Sequence, residues 1–264
     1  MKYLKTKIAG IILLFIAIGL ANCRQEKMFF HPTPLAADYE FKFTNEFVEY
    51  RIPVEEKVTV NGLLFKSQQP KGLVFYLHGN AGALDSWGEI AVFYTQNNYD
   101  IFILDYRGFG KSEGRIENEK QFLNDVQLVY DSLTTQYQEE NIVVIGYSIG
   151  TCPAAFIAAK NNPKHLVLKA PYYSMLDLVH HYYSIVPGFM VKYKLRTNEY
   201  VKEVKAPITI FHGTEDNIIP VENSYQLKDY LKPTTDTLII VEGKTHHGVG
   251  SWVEYRRELV EILE

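Results

Sequence analysis

The chain has 264 residues, of which 47% are apolar and 22% charged, and its formal net charge is −4. That length buries the core of one large α/β domain without requiring a second. With no basic stripe and only two cysteines, Cys23 and Cys152, in segments of different character, the chain offers no basis for a nucleic-acid partner, a disulfide framework or a Cys/His zinc site.

The chain opens with Lys2, Lys5 and Lys7, followed by an apolar run from Ile8 to Leu20 that ends in Leu20-Ala21-Asn22-Cys23. The run is shorter than the ~20 residues that span a bilayer, has no polar face and carries its positive charges on one side. Residues 1–23 therefore read as a secretory signal. The cysteine at its end makes it similar to a bacterial lipoprotein signal, in which the thiol is acylated, so Cys23 is the expected lipidation site and the cell envelope the expected location, with the N-terminus on the membrane. Asn22 stands where that pattern has Gly, Ala or Ser, so an uncleaved signal anchor stays open as the alternative.

Residues 24–45 carry prolines among aromatics, as in Phe29-Phe30-His31-Pro32-Thr33-Pro34, and read as a tether packed on the body of a domain spanning 46–264. Two alternating runs, Phe47 to Pro53 and Lys57 to Lys66, predict antiparallel edge strands, with Asn61-Gly62 as a further turn signal. From Gly72 the pattern changes to buried strands alternating with helices. Strands are expected at Leu73–Leu77, Ile101–Leu104, Asn141–Ile145, His165–Leu168, Pro207–Phe211 and Thr237–Val241. Helices are expected at Ser86–Gln96, Glu119–Tyr137, after Ser148, at Val221–Leu231 and at Trp252–Leu263, while 171–205 reads as irregular. Such alternation implies a mostly parallel, doubly wound sheet, because parallel strands need crossover connections, and ligands bind at the carboxyl ends of its strands.

Four of those strand ends carry chemistry. Gly146-Tyr147-Ser148-Ile149-Gly150 links an apolar strand to a helix by a sharp turn that strains the serine, and a Cβ at either glycine would meet the neighbouring strand and helix. A serine hydroxyl needs a base, and the base an acceptor that sets its tautomer. Asp216 follows the strand ending at Phe211, with Glu215 the weaker alternative and helix capping its competing role. His246 follows the last strand, with His247 as competitor. The order Ser, Asp, His at successive strand ends is a nucleophile–acid–base arrangement. For the oxyanion, the backbone N–H of Ile149 comes with the turn, and a second donor is expected from His78-Gly79-Asn80-Ala81-Gly82, at Asn80 or Ala81. Neither nucleotide-binding glycine pattern is present, and no metal or organic cofactor is implied.

On these motifs, together with Asp105-Tyr106-Arg107-Gly108-Phe109-Gly110-Lys111-Ser112-Glu113-Gly114 and His212-Gly213-Thr214-Glu215-Asp216, the chain resembles the α/β-hydrolase superfamily. It is similar to a branch of small-lidded, membrane-associated serine hydrolases that includes protein depalmitoylating hydrolases and bacterial serine-aminopeptidase-like proteins. The resemblance implies an α/β-hydrolase fold of about eight mostly parallel strands with helices on both faces, a short lid at about 171–205, and structural roles for Asp105 and Arg107. It implies a small acyl-ester or acyl-thioester substrate, lipidic if the lid aromatics line an acyl pocket. Those aromatics, Tyr172, Tyr173, Tyr182, Tyr183, Phe189 and Tyr193, either join the core, line such a pocket or face a membrane. A peptidase of the same fold and an inactive binding protein are the alternative functions.

Overall fold

The computed structural model describes residues 25–264, so the signal or anchor and Cys23 lie outside the described residues. Eight strands form one sheet: β1 (Phe47–Glu55), β2 (Val58–Phe65), β3 (Gly72–Leu77), β4 (Tyr99–Leu104), β5 (Ile142–Tyr147), β6 (His165–Lys169), β7 (Ile208–Gly213) and β8 (Thr237–Val241). Their order is β8-β7-β6-β5-β3-β4-β2-β1, and only the β1–β2 and β2–β4 pairs are antiparallel. This is the expected α/β-hydrolase architecture.

The helices are α1 (Ala91–Gln96), α2 (Glu119–Thr134), α3 (Thr151–Lys160), α4 (Met175–Tyr182), α5 (Thr197–Val201), α6 (Glu222–Lys228) and α7 (Val253–Leu263), with shorter helical turns between them. Every residue of β3 is buried, as a central parallel strand with both faces covered requires. Its side chains alternate between two cores. Leu73, Phe75 and Leu77 pack with Phe122, Val126 and Val129 of α2 and Ala155 of α3, whereas Val74 and Tyr76 pack with Tyr94 of α1 and Tyr255 and Leu259 of α7.

Three local expectations change. Asn61-Gly62 makes no turn but lies inside β2, where the Asn61 side chain donates to Glu49 Oε1 at 2.7 Å. Gly62 is there for space, since a Cβ would come within 2.1 Å of the Phe102 ring on β4. The helix expected over Ser86–Gln96 is divided into Leu84–Trp87, a 3-10 turn Gly88–Ile90 and α1, and at Gly88 a Cβ would stand 2.2 Å from Phe43. The segment 171–205 is partly helical: Ser174 caps α4 by accepting from the Asp177 N–H at 3.0 Å, and Glu119 Oε2 accepts from Lys194 N at 2.8 Å and Leu195 N at 3.1 Å where the segment returns.

Beyond β4, Asp105 and Arg107 hold the loops around the strand ends. Asp105 Oδ2 accepts from Leu84 N at 3.2 Å. The Arg107 guanidinium donates to both carboxylate oxygens of Asp125 on α2, at 2.5 and 2.9 Å, and to Glu55 at 2.8 Å. Arg107 and Asp125 are 6% and 5% exposed, so loss of the guanidinium strands a carboxylate that burial already pushes toward protonation. Arg107→Ala is expected to lower stability by about 3 kcal/mol or more in urea unfolding, and Arg107→Lys to recover only part, because a lysine cannot bridge both oxygens.

Candidate active site

Ser148 sits where β5 turns into α3, with φ +53, the left-handed region that costs a non-glycine residue energy. The crowding that holds it there is measurable at its neighbours. A Cβ at Gly146 would meet Gly150 O at 2.5 Å and Ala154 Cβ at 2.7 Å, and one at Gly150 would meet Leu77 O at 2.1 Å. Helix α3 thus starts in direct contact with the ends of β3 and β5, and no larger residue fits at either place. Thr151 Oγ1 donates to Ser148 O at 2.6 Å and closes the turn.

Ser148, Ile149 and Asn80 line a cavity of about 500 Å³. The remaining walls are mostly apolar side chains from α4 and the rest of the lid, from the Asp216 loop at Ile218 and Ile219, and from Met28 and Phe29 of the N-terminal tether, with Gln25 beside them. The lid aromatics divide between core, cavity and surface. Tyr172 and Tyr193 are fully buried, Tyr182 and Tyr183 line the cavity, and Phe189 is 83% exposed. Tyr182 also donates from its hydroxyl to Ile218 O at 3.1 Å, tying lid to acid loop.

Asp216 and His246, from the loops after β7 and β8, meet directly: His246 Nδ1 stands 2.7 Å from Asp216 Oδ2. The same oxygen lies 3.2 Å from His212 Nε2, while Oδ1 accepts from the Ile218 and Ile219 N–H groups at 2.9 and 2.8 Å. Burial works against the charge on Asp216, but hydrogen bonds from His212, His246 and Ile219 N–H outweigh it and hold the carboxyl well below the ordinary carboxylate range. An ionised carboxylate only accepts, so the proton of a neutral His246 sits on Nδ1 and leaves Nε2 with its lone pair. The His246 ring packs 5.2 Å from the ring of Tyr147, the residue before Ser148. Among the described residues no hydrogen bond joins Ser148 to His246, a link that often tightens only with substrate bound. Glu215 is not a partner of either histidine; its backbone N–H donates to Lys244 O.

Residues 68–196 match the family model of serine aminopeptidases, S33. Alpha/beta hydrolase domain-containing protein 17C of Xenopus tropicalis is 29% identical over 199 residues, covering 72% of this chain and 61% of that protein. The human protein 17B is 28% identical, covering 75% of this chain and 68% of its own length. An esterase from Pyrococcus furiosus superposes with a TM-score of 0.71 at 20% identity, over 89% of this chain and 97% of that one.

The chain has the α/β-hydrolase fold, and its sequence is similar to members of that superfamily.

Within this fold His212 and His78 take positions that motif reading leaves unassigned, and His247, the competitor of His246, takes a third. His212, fully buried, places Nε2 against two acceptors, Ile219 O at 2.8 Å and Asp216, so that nitrogen carries the proton and Nδ1 accepts from Ser224 Oγ at 2.7 Å. His78, equally buried, donates from Nδ1 to Gly79 O at 2.7 Å and aims Nε2 at Asp105 Oδ1, 3.3 Å away. Their signal in the sequence is a His-Gly pair ending or following an apolar strand, at His78-Gly79 and His212-Gly213. His247 is the third. Its Nδ1 lies 2.7 Å from the Tyr147 hydroxyl, on the turn before Ser148 and away from Asp216.

A carboxyl held below its unfolded value contributes stability that is fully present above about pH 4 and is lost as acid protonates it. In urea unfolding between pH 5 and 2.5, Asp216→Asn is expected to flatten the acid loss of stability relative to the parent chain. An unchanged acid slope would show that Asp216 is not held ionised by this network.

Proposed function

We propose that this protein is a serine hydrolase that cleaves a carboxylic ester or thioester through an acyl-enzyme. The observation that carries the reading is the strained Ser148 lining one cavity with Asn80 and Ile149, while a His246–Asp216 pair at 2.7 Å packs against the adjoining Tyr147. In this reading Ser148 Oγ attacks the acyl carbon and His246 Nε2 takes its proton. The N–H groups of Ile149 and Asn80 hold the oxyanion, and Asp216 stabilises the imidazolium. Collapse of the tetrahedral intermediate breaks the bond to the alcohol or thiol, which leaves with the proton from His246. Water, activated by the same nitrogen, then releases the acid and restores Ser148.

The wall chemistry favours an acyl ester or thioester over an aminoacyl amide. A peptidase that selects a free amino terminus needs a carboxylate to bind the ammonium group, and among the described residues no charged side chain lines the cavity. The relatives are consistent with this chemistry without specifying it.

Ser148→Ala is expected to abolish labelling by a fluorophosphonate probe and to lower turnover of acyl p-nitrophenyl esters by about 10³-fold or more. His246→Ala should fall to a similar level, whereas His247→Ala should retain most activity. Labelling that survives at Ser148→Ala, or loss at His247 rather than His246, overturns the assignment. A wild-type chain that resists the probe would instead be a binding protein on this fold.

The location in the cell envelope, with a lipid on Cys23 or an uncleaved anchor, is likewise our proposal from the sequence. Cys23→Ser should remove incorporation of labelled palmitate and release the protein from membranes. If both persist, the lipoprotein assignment fails, and persistent membrane partition without incorporation indicates the anchor.

A further inference from the structure

The segment just after Cys23 is built into the candidate active site. Gln25 uses both ends of its amide on the lid: Nε2 donates to Met190 O at 2.6 Å and Oε1 accepts from Lys192 N at 2.8 Å. These are the two bonds a neighbouring strand would make. Met28 and Phe29 then form part of the cavity wall, and Phe30, 5% exposed, packs edge-on against Phe122 and Tyr193 at ring separations of 5.3 and 5.7 Å. Next, His31-Pro32 pairs in parallel with Ala81-Gly82 of the oxyanion loop. The His31 N–H donates to Asn80 O at 2.7 Å and the Thr33 N–H to Gly82 O at 3.2 Å. Two further bonds, Gly110 N to Thr33 O at 3.0 Å and Leu35 N to Gly110 O at 2.8 Å, lock the far end.

The consequence for Asn80 follows from peptide geometry. In a planar trans peptide the N–H points opposite to the preceding carbonyl, so the direction of the Asn80 N–H is set by Gly79 O, which His78 Nδ1 holds at 2.7 Å. The next carbonyl, Asn80 O, is held by the His31 N–H. With the peptides on both sides of Asn80 pinned, its φ and ψ are no longer free. One pin belongs to the body of the domain and the other to the N-terminal segment.

We propose that residues 25–35 are a positioning strap, which sets the oxyanion loop through His31 and completes the acyl wall through Gln25, Met28 and Phe29. The inference rests on the ester-hydrolase reading for its catalytic consequence. It goes beyond that reading in making the stretch next to the membrane-attachment residue a determinant of rate and acyl-chain selectivity.

Two full-chain variants separate the grips. Gln25→Ala frees the lid end, and its loss of kcat/KM should reside in KM and grow with acyl length from butyryl to decanoyl p-nitrophenyl esters, reaching about tenfold at the long end. His31→Pro deletes the N–H to Asn80 O; the His31 side chain is exposed, and Phe30, at φ −123 and ψ +123, already has the extended conformation that precedes proline. It should lower kcat about tenfold at every acyl length, with KM little altered. A length-independent effect of Gln25→Ala, or an unaltered kcat in His31→Pro, overturns the proposal.

Hydrogen exchange on the same proteins without substrate gives a readout independent of turnover. The Lys192 amide should exchange faster in Gln25→Ala and the amides of residues 79–84 faster in His31→Pro. Unaltered exchange at both places also overturns the strap. A wild type that neither binds the fluorophosphonate nor hydrolyses any ester would defeat the hydrolase reading alone, and exchange would still decide the strap.

Discussion

The site depends on one close approach, where the start of α3 meets the ends of β3 and β5. Gly150 passes so near Leu77 O that a Cβ would lie 2.1 Å from it, and Gly146 lies under the first turn of the helix with no more room. Between them Ser148 is left at φ +53, a conformation that only a well-packed surrounding maintains. The cost is of order 1–3 kcal/mol, small beside the burial of β3 and β5 on both faces. What the strain secures is position: the side chain stands at the sheet's carboxyl edge, on the wall of the cavity and beside the loop that carries Asn80.

A second constraint is electrostatic. Asp216 is 7% exposed and would be raised toward protonation by burial alone, yet four donors converge on its two oxygens, from His212, His246, Ile218 and Ile219. The bonds from His212, His246 and Ile219 reverse the direction of the shift and keep a negative charge next to His246. The other contacts of His212 are Ile219 O in the β7–α6 connection and Ser224 on α6 itself. Its link to His246 runs only through Asp216. His247 instead meets the hydroxyl of Tyr147.

Much of the architecture is legible locally. Long apolar runs such as Leu73–Leu77 and Ile142–Ile145 declare buried parallel strands, and the periodic Phe122, Val126, Val129 and Leu133 declare α2, whose start Asn118 marks by accepting from Gln121 N. Errors arise where a residue answers to a distant neighbour. Asn61-Gly62 has the composition of a turn, but Gly62 is small because Phe102 crosses the strand there. The lid segment reads as irregular because its helices are short and its return is fixed by Glu119 on α2, far away along the chain.

By itself the sequence singled out the candidate residues and their order, because strand, turn and helix signals are local and Ser148, Asp216 and His246 each lie just beyond a recognisable strand. It also determined that an N-terminal apolar run ends at Cys23. Only the tertiary structure decided which of two adjacent histidines faces Asp216, since His246 and His247 differ in direction and not in chemistry. The fate of the tether was likewise a tertiary matter. Its hydrogen bonds to Asn80, Gly82, Met190 and Lys192 join backbone and amide groups that carry no pattern along the chain, so the pocket they assemble exists only once the chain has folded back on itself.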